Sequence, residues 1–410
     1  MPNNINIIVL CAGKSSRMGL NIPKVTLTIN GVSLIENTLK NLQKLNPEKI
    51  ILVVGFKKNL VIEEVKKLKY KNIEFIEQKK LLGTGDAVKP AISKLNKKSQ
   101  VIVLNGDTYF DVQAESLLER KSVIDIGLYY TQDLSRYGVV NVEDNDFVSS
   151  FIEKGAPQNL KEGCINSGVY RCGKEIAEFI GEGFVSLETE TFSQLVYKKL
   201  ITGRALGGKF IDIGIPKDYK SAYNSIHSWS NSPREPVLFL DRDGVVIEDT
   251  GYPHKKSDLK IKDKIIPIIK WSNSKNIKVI VITNQAGISK GKFTIKQMNE
   301  FHKLLLNELA NKSAYIHSIY HCPYHANGSV KEYSFESLLR KPNPGMILNA
   351  MKDQKINLYK SLMVGDKSSD IIKIKGLKTL LLKGKYPLNT DNLVVHNMDQ
   401  LFEEIKNNFG

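Results

Sequence analysis

Short runs of continuous apolar residues recur along the chain and end abruptly in glycine, asparagine or aspartate. They stand in NIIVLCAGKSSRMG (6–19), KIILVVGF (49–56), QVIVLNGD (100–107), PVLFLDRDGVV (236–246), KVIVITNQ (278–285) and SLMVGDKSSD (361–370). Apolarity that does not alternate predicts strands covered on both faces, as in parallel sheets. Helical periodicity fills the gaps, for example in SLIENTLKNLQKL (33–45) and QMNEFHKLLLNELA (297–310). The chain therefore reads as α/β, with the carboxyl ends of its strands as the place to look for ligand sites.

The same grammar opens twice, once at residue 6 and once at residue 236, with no internal sequence repeat. Between the two lies HSWSNSPREP (227–236), rich in Ser, Pro, Asn and charge, which is the composition of a linker. With 410 residues the chain exceeds what one core usually supports. Two domains are expected, 1–228 and 229–410.

Composition narrows the partners. Lys plus Arg number 59 against 43 Asp plus Glu, a net charge of +16. Such a balance suits nucleic acid, an anionic membrane or phosphorylated small molecules. The basic residues are spread rather than gathered into a dense tract with interleaved aromatics, which favours phosphorylated metabolites and argues against nucleic acid. No apolar run reaches the roughly 18 residues of a membrane span, and Cys11, Cys164, Cys172 and Cys322 form no CxxC pair. A reducing cytoplasm is the expected location, with no membrane partner; a homo-oligomer is left open.

In the first half, the loop after LCAG exposes backbone N–H groups that can cradle phosphate, with Arg17 and Lys24 adding fixed positive charge. A Gly/Ser turn alone serves equally as a tight strand-to-helix connection. Further on, Asp107 ends a predicted strand in NGD, and Asp212 precedes a Gly-Pro turn in DIGIPKDY. Two carboxylates so placed suit a Mg²⁺ shared with nucleotide phosphates.

Together these residues resemble the sugar-1-phosphate nucleotidyltransferases over about residues 5–225. The resemblance implies a Rossmann-like domain with a GT-A-like mixed sheet. It also implies that Gly13, Arg17 and Lys24 meet the triphosphate and sugar phosphate, while Gly83, Thr84 and Gly85 of LGTGDA border the base. Asp107 and Asp212 would hold Mg²⁺. Glu153 and Lys154 of FIEKG and Asn166 of NSGVY would meet the sugar and its phosphate. The implied reaction is in-line attack of a sugar 1-phosphate on the α-phosphorus of an NTP, releasing pyrophosphate, with catalysis by positioning and charge neutralisation. The loop AGKSSRMG departs from the AGGxGTR form of several branches and leaves the base open.

The second half carries a sharper signal. In LDRDGVV, Asp241 and Asp243 directly follow an apolar strand and can divide labour, one attacking phosphorus and the other handling the proton. Thr283 and Asn284 end a later strand, Lys341 supplies a cation, and Asp366 and Asp370 follow another strand. This order is that of the haloacid dehalogenase (HAD) type phosphatases and implies a HAD-like Rossmannoid domain. More narrowly, DRDGVVIEDTGY, TNQAGISKGKFT, YHCPYHANGSVKEY, RKPNPGM and MVGDKSSD resemble D-glycero-D-manno-heptose 1,7-bisphosphate 7-phosphatases over about residues 236–408. That resemblance makes Asp241 the nucleophile and Asp243 the general acid/base. Thr283, Asn284 and Lys341 would bind the transferring phosphate, Arg340 would select the bisphosphate, and Asp241, Asp243 and Asp366 would form the Mg²⁺ site. A histidinol-phosphatase-like specificity, with the first half acting on a hexose 1-phosphate, is the alternative.

Zinc-bearing relatives use a Cys-Pro-His and a CxC before Arg-Lys-Pro. Here HCPYHANGSVKEYSFESLLRKPNPG (321–345) keeps Cys322 but puts Tyr324, Ser337 and Leu339 at the other three positions. A structural zinc site needs four N or S ligands, so the loop is expected to be metal-free and packed through aromatics. The two implied activities run in series, since a heptose 1-phosphate left by the phosphatase is an acceptor for the transferase. Nucleotide-activated heptose for surface polysaccharide or lipopolysaccharide is the implied product.

Overall fold

A computed structural model describes the chain apart from residues 1–4, 15–20, 30, 81, 96–99, 113–116, 119–121, 135–136, 144, 153–159, 214–217, 220–221, 223–232, 389 and 391–392. It divides into two compact units, Met1–Ser232 and Pro233–Gly410.

In the first unit, strands β1 (Ile5–Cys11), β2 (Lys49–Val54) and β4 (Gln100–Asn105) coincide with the apolar runs, and β3 (Ile73–Glu77), which mixes apolar and acidic residues, is added to them. They are followed by β5 (Thr108–Val112), β6 (Ile124–Thr131), β7 (Val139–Val142), β8 (Val148–Ile152), β9 (Gly163–Cys172), β10 (Ile201–Ala205) and β11 (Gly208–Asp212). The main sheet runs β8-β7-β9-β4-β1-β2-β3, with β6 joined to β9 and β10. It is mixed: β1 is parallel to β2 and β4, while β9 is antiparallel to β4, β6 and β7. The apolar runs do not alternate because both faces are buried. Ile8, Val101 and Val103 enter one core, and Ile7, Val9, Ile102 and Leu104 enter the other.

Helix α1 (Leu34–Gln43) begins where the Ser33 hydroxyl accepts the Glu36 N–H. Helices α2 (Lys58–Lys66), α3 (Gly83–Ser93) and α4 (Phe192–Tyr197) complete the unit's labelled helices. A separate ribbon pairs β5 with β11, setting Thr108 opposite Asp212.

The second unit is a parallel sheet of β12 (Val237–Leu240), β13 (Lys278–Asn284), β14 (Ser318–Cys322), β15 (Leu362–Gly365), β16 (Lys378–Leu382) and β17 (Leu393–Val395). Its order is β14-β13-β12-β15-β16-β17, so the chain reverses direction of travel at β12. This is the switch point at which open α/β sheets place ligands. Helix α5 (Ile265–Ser274), the short α6 (Ala286–Ser289), α7 (Ile295–Asn311), α8 (Gly345–Asp353) and α9 (Met398–Phe409) surround it. Thr294 and Gln297 form a reciprocal capping box that starts α7. Among the described residues no helix is long and apolar enough to cross a membrane.

Candidate active sites

In the first unit a cleft of about 400 Å³ opens at the carboxyl ends of β1 and β4, lined by Gly13, Lys24, Gln78, Thr84, Asp107 and Phe184 among others. Its floor depends on Gly106. The Gly106 N–H donates to the Leu10 carbonyl at 2.9 Å, and a Cβ there would sit 2.6 Å from that oxygen. The close approach carries Asp107 to the cleft, where its Oδ2 accepts from Lys24 Nζ at 3.0 Å. Pairing of β5 with β11 then brings Asp212 alongside, since Ile213 donates its N–H to the Asp107 carbonyl at 3.2 Å. Burial and the neighbouring Asp107 push the Cys11 thiol up, so it stays protonated and is no nucleophile.

Gly83 and Thr84 line this cleft. Gly83 has φ +96°, and its Cβ position would fall 2.2 Å from the Val185 carbonyl, so only glycine fits. Gly85 is buried in that contact, its N–H donating to Val185 O at 2.9 Å. The Thr84 hydroxyl donates to Glu188 Oε2 at 2.8 Å and accepts the Leu187 N–H at 2.9 Å. Asn166 donates to Tyr170 Oη at 2.9 Å, and Tyr170 in turn to Glu188 Oε1 at 3.1 Å. Glu188 therefore ties the Thr84 side of the site to the Asn166 side. Gln78 is anchored by donating to Gly83 O and Asp86 Oδ2 at 3.0 and 2.9 Å. Sequence reasoning missed Glu188, Gln78 and Phe184; the only signal was the position of Gln78 just past the end of a strand. Arg17, Glu153 and Lys154 lie outside the described residues.

The second unit gathers its site at the switch point. Asp241 follows β12, Thr283 and Asn284 end β13, and Asp366 follows β15. Lys341 reaches in beneath them, almost fully buried, with Nζ 2.8 Å from Asp241 Oδ1 and 2.6 Å from Asp370 Oδ1. Asn284 fixes its backbone reciprocally: Oδ1 accepts the Lys341 N–H at 3.0 Å and Nδ2 donates to the Lys341 carbonyl at 3.2 Å. Asn284 thus clamps the lysine while also lining the second cleft. Thr283 Oγ1 accepts from Gln285 at 2.8 Å, leaving its own hydrogen for an acceptor in the cleft.

Crowded carboxylates shape the electrostatics. Burial, opposed by Lys341 and reinforced by Asp370 and Asp243, pushes the Asp241 carboxyl up to about 7. Burial likewise pushes Asp366 up to about 6. Burial works against the Lys341 ammonium, but Asp241 and Asp370 more than offset it and hold its pKa above the ordinary lysine value.

Asp241, Asp366 and Asp370 can each offer an oxygen within 4.8 Å of the others. Asp366 Oδ1 is buried with no hydrogen-bond partner, the Lys367 ammonium lying 3.9 Å away, and such an oxygen is suited to meeting a closer cation. The donor set is all oxygen and fits Mg²⁺. The sequence reading placed Asp243 in this set in place of Asp370. Asp243 is engaged elsewhere, its two oxygens held by Arg242 at 2.8 and 3.1 Å and one of them also by Gln285 at 3.2 Å.

Residues 321–345 pack through rings. Tyr324 lies 4.4 Å from Phe335 and 6.0 Å from Tyr333, centroid to centroid, while Cys322 and Leu339 are buried. Arg340 emerges from this packing, bonded to the Tyr324 carbonyl at 3.4 Å, and lines the second cleft, also about 400 Å³, with Lys290 and Lys367.

Residues 6–228 match the nucleotidyl transferase family, and residues 236–400 match polynucleotide kinase 3 phosphatase. The D-glycero-alpha-D-manno-heptose 1-phosphate guanylyltransferase of Campylobacter jejuni is 37% identical over 223 residues, 52% of this chain and 96% of the relative. The D-glycero-alpha-D-manno-heptose-1,7-bisphosphate 7-phosphatase of Photorhabdus laumondii is 42% identical over 135 residues, 33% of this chain and 74% of the relative. The corresponding beta-anomer phosphatase of Escherichia coli is 34% identical over 180 residues, 42% of this chain and 94% of the relative. The fold and clefts define a two-domain enzyme that handles phosphate esters. The chain belongs to the nucleotidyl transferase family through its first half and to the heptose bisphosphate phosphatases, of HAD type, through its second. One polypeptide thus carries a nucleotidyltransferase and a phosphatase.

Proposed function

We propose that this enzyme makes a nucleotide-activated heptose in two steps, with the junction between its activities at residues 228/229. The second unit removes the 7-phosphate from D-glycero-D-manno-heptose 1,7-bisphosphate; the first transfers a guanylyl group from GTP to the resulting α-heptose 1-phosphate. The carrying observation is that relatives matched over most of their own length, one by each half, perform consecutive reactions on the same sugar. Both of these relatives act on the α-anomer, which favours it over the β-anomer. The proposed setting is the cytoplasm.

In the phosphatase step an Asp241 oxygen attacks phosphorus, the bond from phosphorus to the sugar oxygen breaks, and the Asp243 carboxyl gives its proton to that oxygen. Asp243, now a carboxylate, takes a proton from water as the water oxygen attacks the aspartyl phosphate. This frees Asp241 and inorganic phosphate. Lys341 and the Thr283 hydroxyl bind the transferring phosphoryl oxygens, and Arg340 takes the distal phosphate. Asp241, Asp366 and Asp370 would hold Mg²⁺, which supplies charge compensation between the nucleophilic carboxylate and the phosphate.

In the transferase step a sugar-phosphate oxygen attacks the α-phosphorus, and the bond to the β-phosphate oxygen breaks to release pyrophosphate. Arg17 and Lys24 neutralise the phosphates beside the backbone at Gly13. Gln78, Gly83 and Thr84 face the base, with Gly85 holding their loop against Val185. Glu153, Lys154 and Asn166 meet the sugar and its phosphate. Asp107 and Asp212 would hold the second Mg²⁺, a role that requires Lys24 to exchange Asp107 for a nucleotide phosphate.

³¹P NMR with Mg²⁺, the α-heptose bisphosphate and an equal mixture of four NTPs tests this reading. Loss of the 7-phosphate signal followed by a nucleotide-sugar diphosphate pair, with GTP consumed, is expected. An intact bisphosphate, or turnover with the β-anomer only, would sink the assignment.

A further inference from the structure

Arg242, the residue between the two active-site aspartates, has no exposed surface. A guanidinium in that position is tolerated only if its five N–H groups find acceptors. It grips both oxygens of Asp243, Nε to Oδ1 at 2.8 Å and one terminal nitrogen to Oδ2 at 3.1 Å. That same terminal nitrogen faces the Pro253 carbonyl at 3.2 Å and Gln285 Oε1 at 3.0 Å. The other lies 2.9 Å from His302 Nε2.

The support beneath comes from helix α7, whose buried face carries Phe301 and His302 side by side. The guanidinium carbon sits 5.0 Å above the Phe301 ring. His302 serves as an acceptor only as neutral imidazole with Nε2 unprotonated. Burial, with Arg242 and His321 adding to it, pushes its pKa down to about 2, consistent with that form.

We infer that Arg242, seated on Phe301 and His302, is the positioning residue that aims the Asp243 carboxyl for proton transfer at the phosphoryl group. A bidentate grip fixes both the rotation and the plane of a carboxylate, which a single hydrogen bond does not. Gln285 closes the arrangement by bridging Asp243 to Thr283, so the proton-transfer group and the phosphate-binding hydroxyl are set by one network. The sequence motif alone cannot reveal this, because His302 lies 60 residues further along the chain.

The inference rests on the general acid/base reading of Asp243, and the test separates the two. p-Nitrophenolate leaves without a proton, whereas a sugar alkoxide does not, and both aspartyl phosphates need a base for hydrolysis. D243N, R242K, H302L and H302Q are compared in the full chain on heptose 1,7-bisphosphate and on p-nitrophenyl phosphate, with rapid-mixing kinetics. R242K is expected to lose about 100-fold on the sugar phosphate and to show a nitrophenolate burst followed by slow turnover, as D243N does. H302L is expected to show the same pattern at about tenfold loss, and H302Q, which keeps an acceptor, to stay within threefold of the parent.

If D243N shows the burst while R242K loses equally on both substrates without one, the positioning role is overturned and the reading of Asp243 stands. If D243N shows no difference between substrates, that reading fails and the inference with it. Should R242K not fold, as judged by thermal melting, the His302 pair decides: matching behaviour of H302L and H302Q overturns the inference.

Discussion

Lys341 Nζ lies 2.8 Å from Asp241 Oδ1, with the lysine side chain 2% and the aspartate 6% exposed. The lysine also meets Asp370, so one buried cation balances two buried carboxylates. Removing it leaves both uncompensated, a change that typically costs about 3–5 kcal/mol. Lys341→Met is therefore expected to destabilise the second unit by that amount in a urea melt without metal, and to abolish phosphate release. Pairing it with Asp241→Asn should recover part of the loss, because one buried charge is then removed with the other.

The raised carboxyls give the second unit an unusual pH response. Asp241 and Asp366 bind protons more tightly in the folded chain, near 7 and 6, than an ordinary aspartate near 3.8 does in the unfolded one. Their contribution is most favourable below about pH 4 and is lost as pH rises through 6 to 7. Mg²⁺ competes with those protons and binds only the folded site, so it restores stability where they have left. The melting-temperature gain from 5 mM Mg²⁺ should be clearly larger at pH 8 than at pH 5. Equal gains at both would show that the ion is held elsewhere.

The central parallel strands β1, β2, β4, β12, β13 and β15 were legible because both of their faces are buried and their residues are mostly apolar, whereas the half-buried, partly polar β3 and β14 gave no such run. Strands β6 and β9 were not legible either. Each carries a charge inside, Asp125 and Arg171, which pair with each other across the sheet and so break up the apolar signal that would have marked the segments. The candidate positions adjoining strand ends, Asp241, Thr283 and Asp366, could be placed there from the apolar runs that precede them. Which acids share a cluster was not legible, since the turning of Asp243 toward Arg242 and of Asp370 toward Lys341 depends on contacts between distant segments. Glu188 is hidden for the same reason: its hydroxyl donors come from Thr84, Tyr170 and Ser186.

The two sites share no described residue, which makes the activities separable. Asp241→Asn should end bisphosphate hydrolysis yet leave conversion of supplied heptose 1-phosphate and GTP within twofold of the parent. Lys24→Met should do the reverse, lowering nucleotidyl transfer about 10²- to 10³-fold, the range for loss of one preorganised charge-stabilising group. Pyrophosphate and phosphate release, assayed separately on the two variants, check both directions. Loss of both activities in either variant would contradict independent sites.

Phe184 is 67% exposed yet lines the first cleft together with Gly83 and Thr84. An aromatic ring left in water at the mouth of the proposed nucleotide cleft is placed to cover a base, and base–aromatic stacking contributes about 1–3 kcal/mol without distinguishing bases. Phe184→Ala is expected to raise KM for GTP at least fivefold while leaving KM for heptose 1-phosphate unchanged. Because stacking is blind to base identity, the ratio of kcat/KM between GTP and ATP should hold, whereas Gln78→Ala, which removes a polar group from the same wall, should alter it. Steady-state kinetics with both nucleotides reads all three quantities. A rise in KM for the sugar phosphate alone would move Phe184 from the base to the sugar.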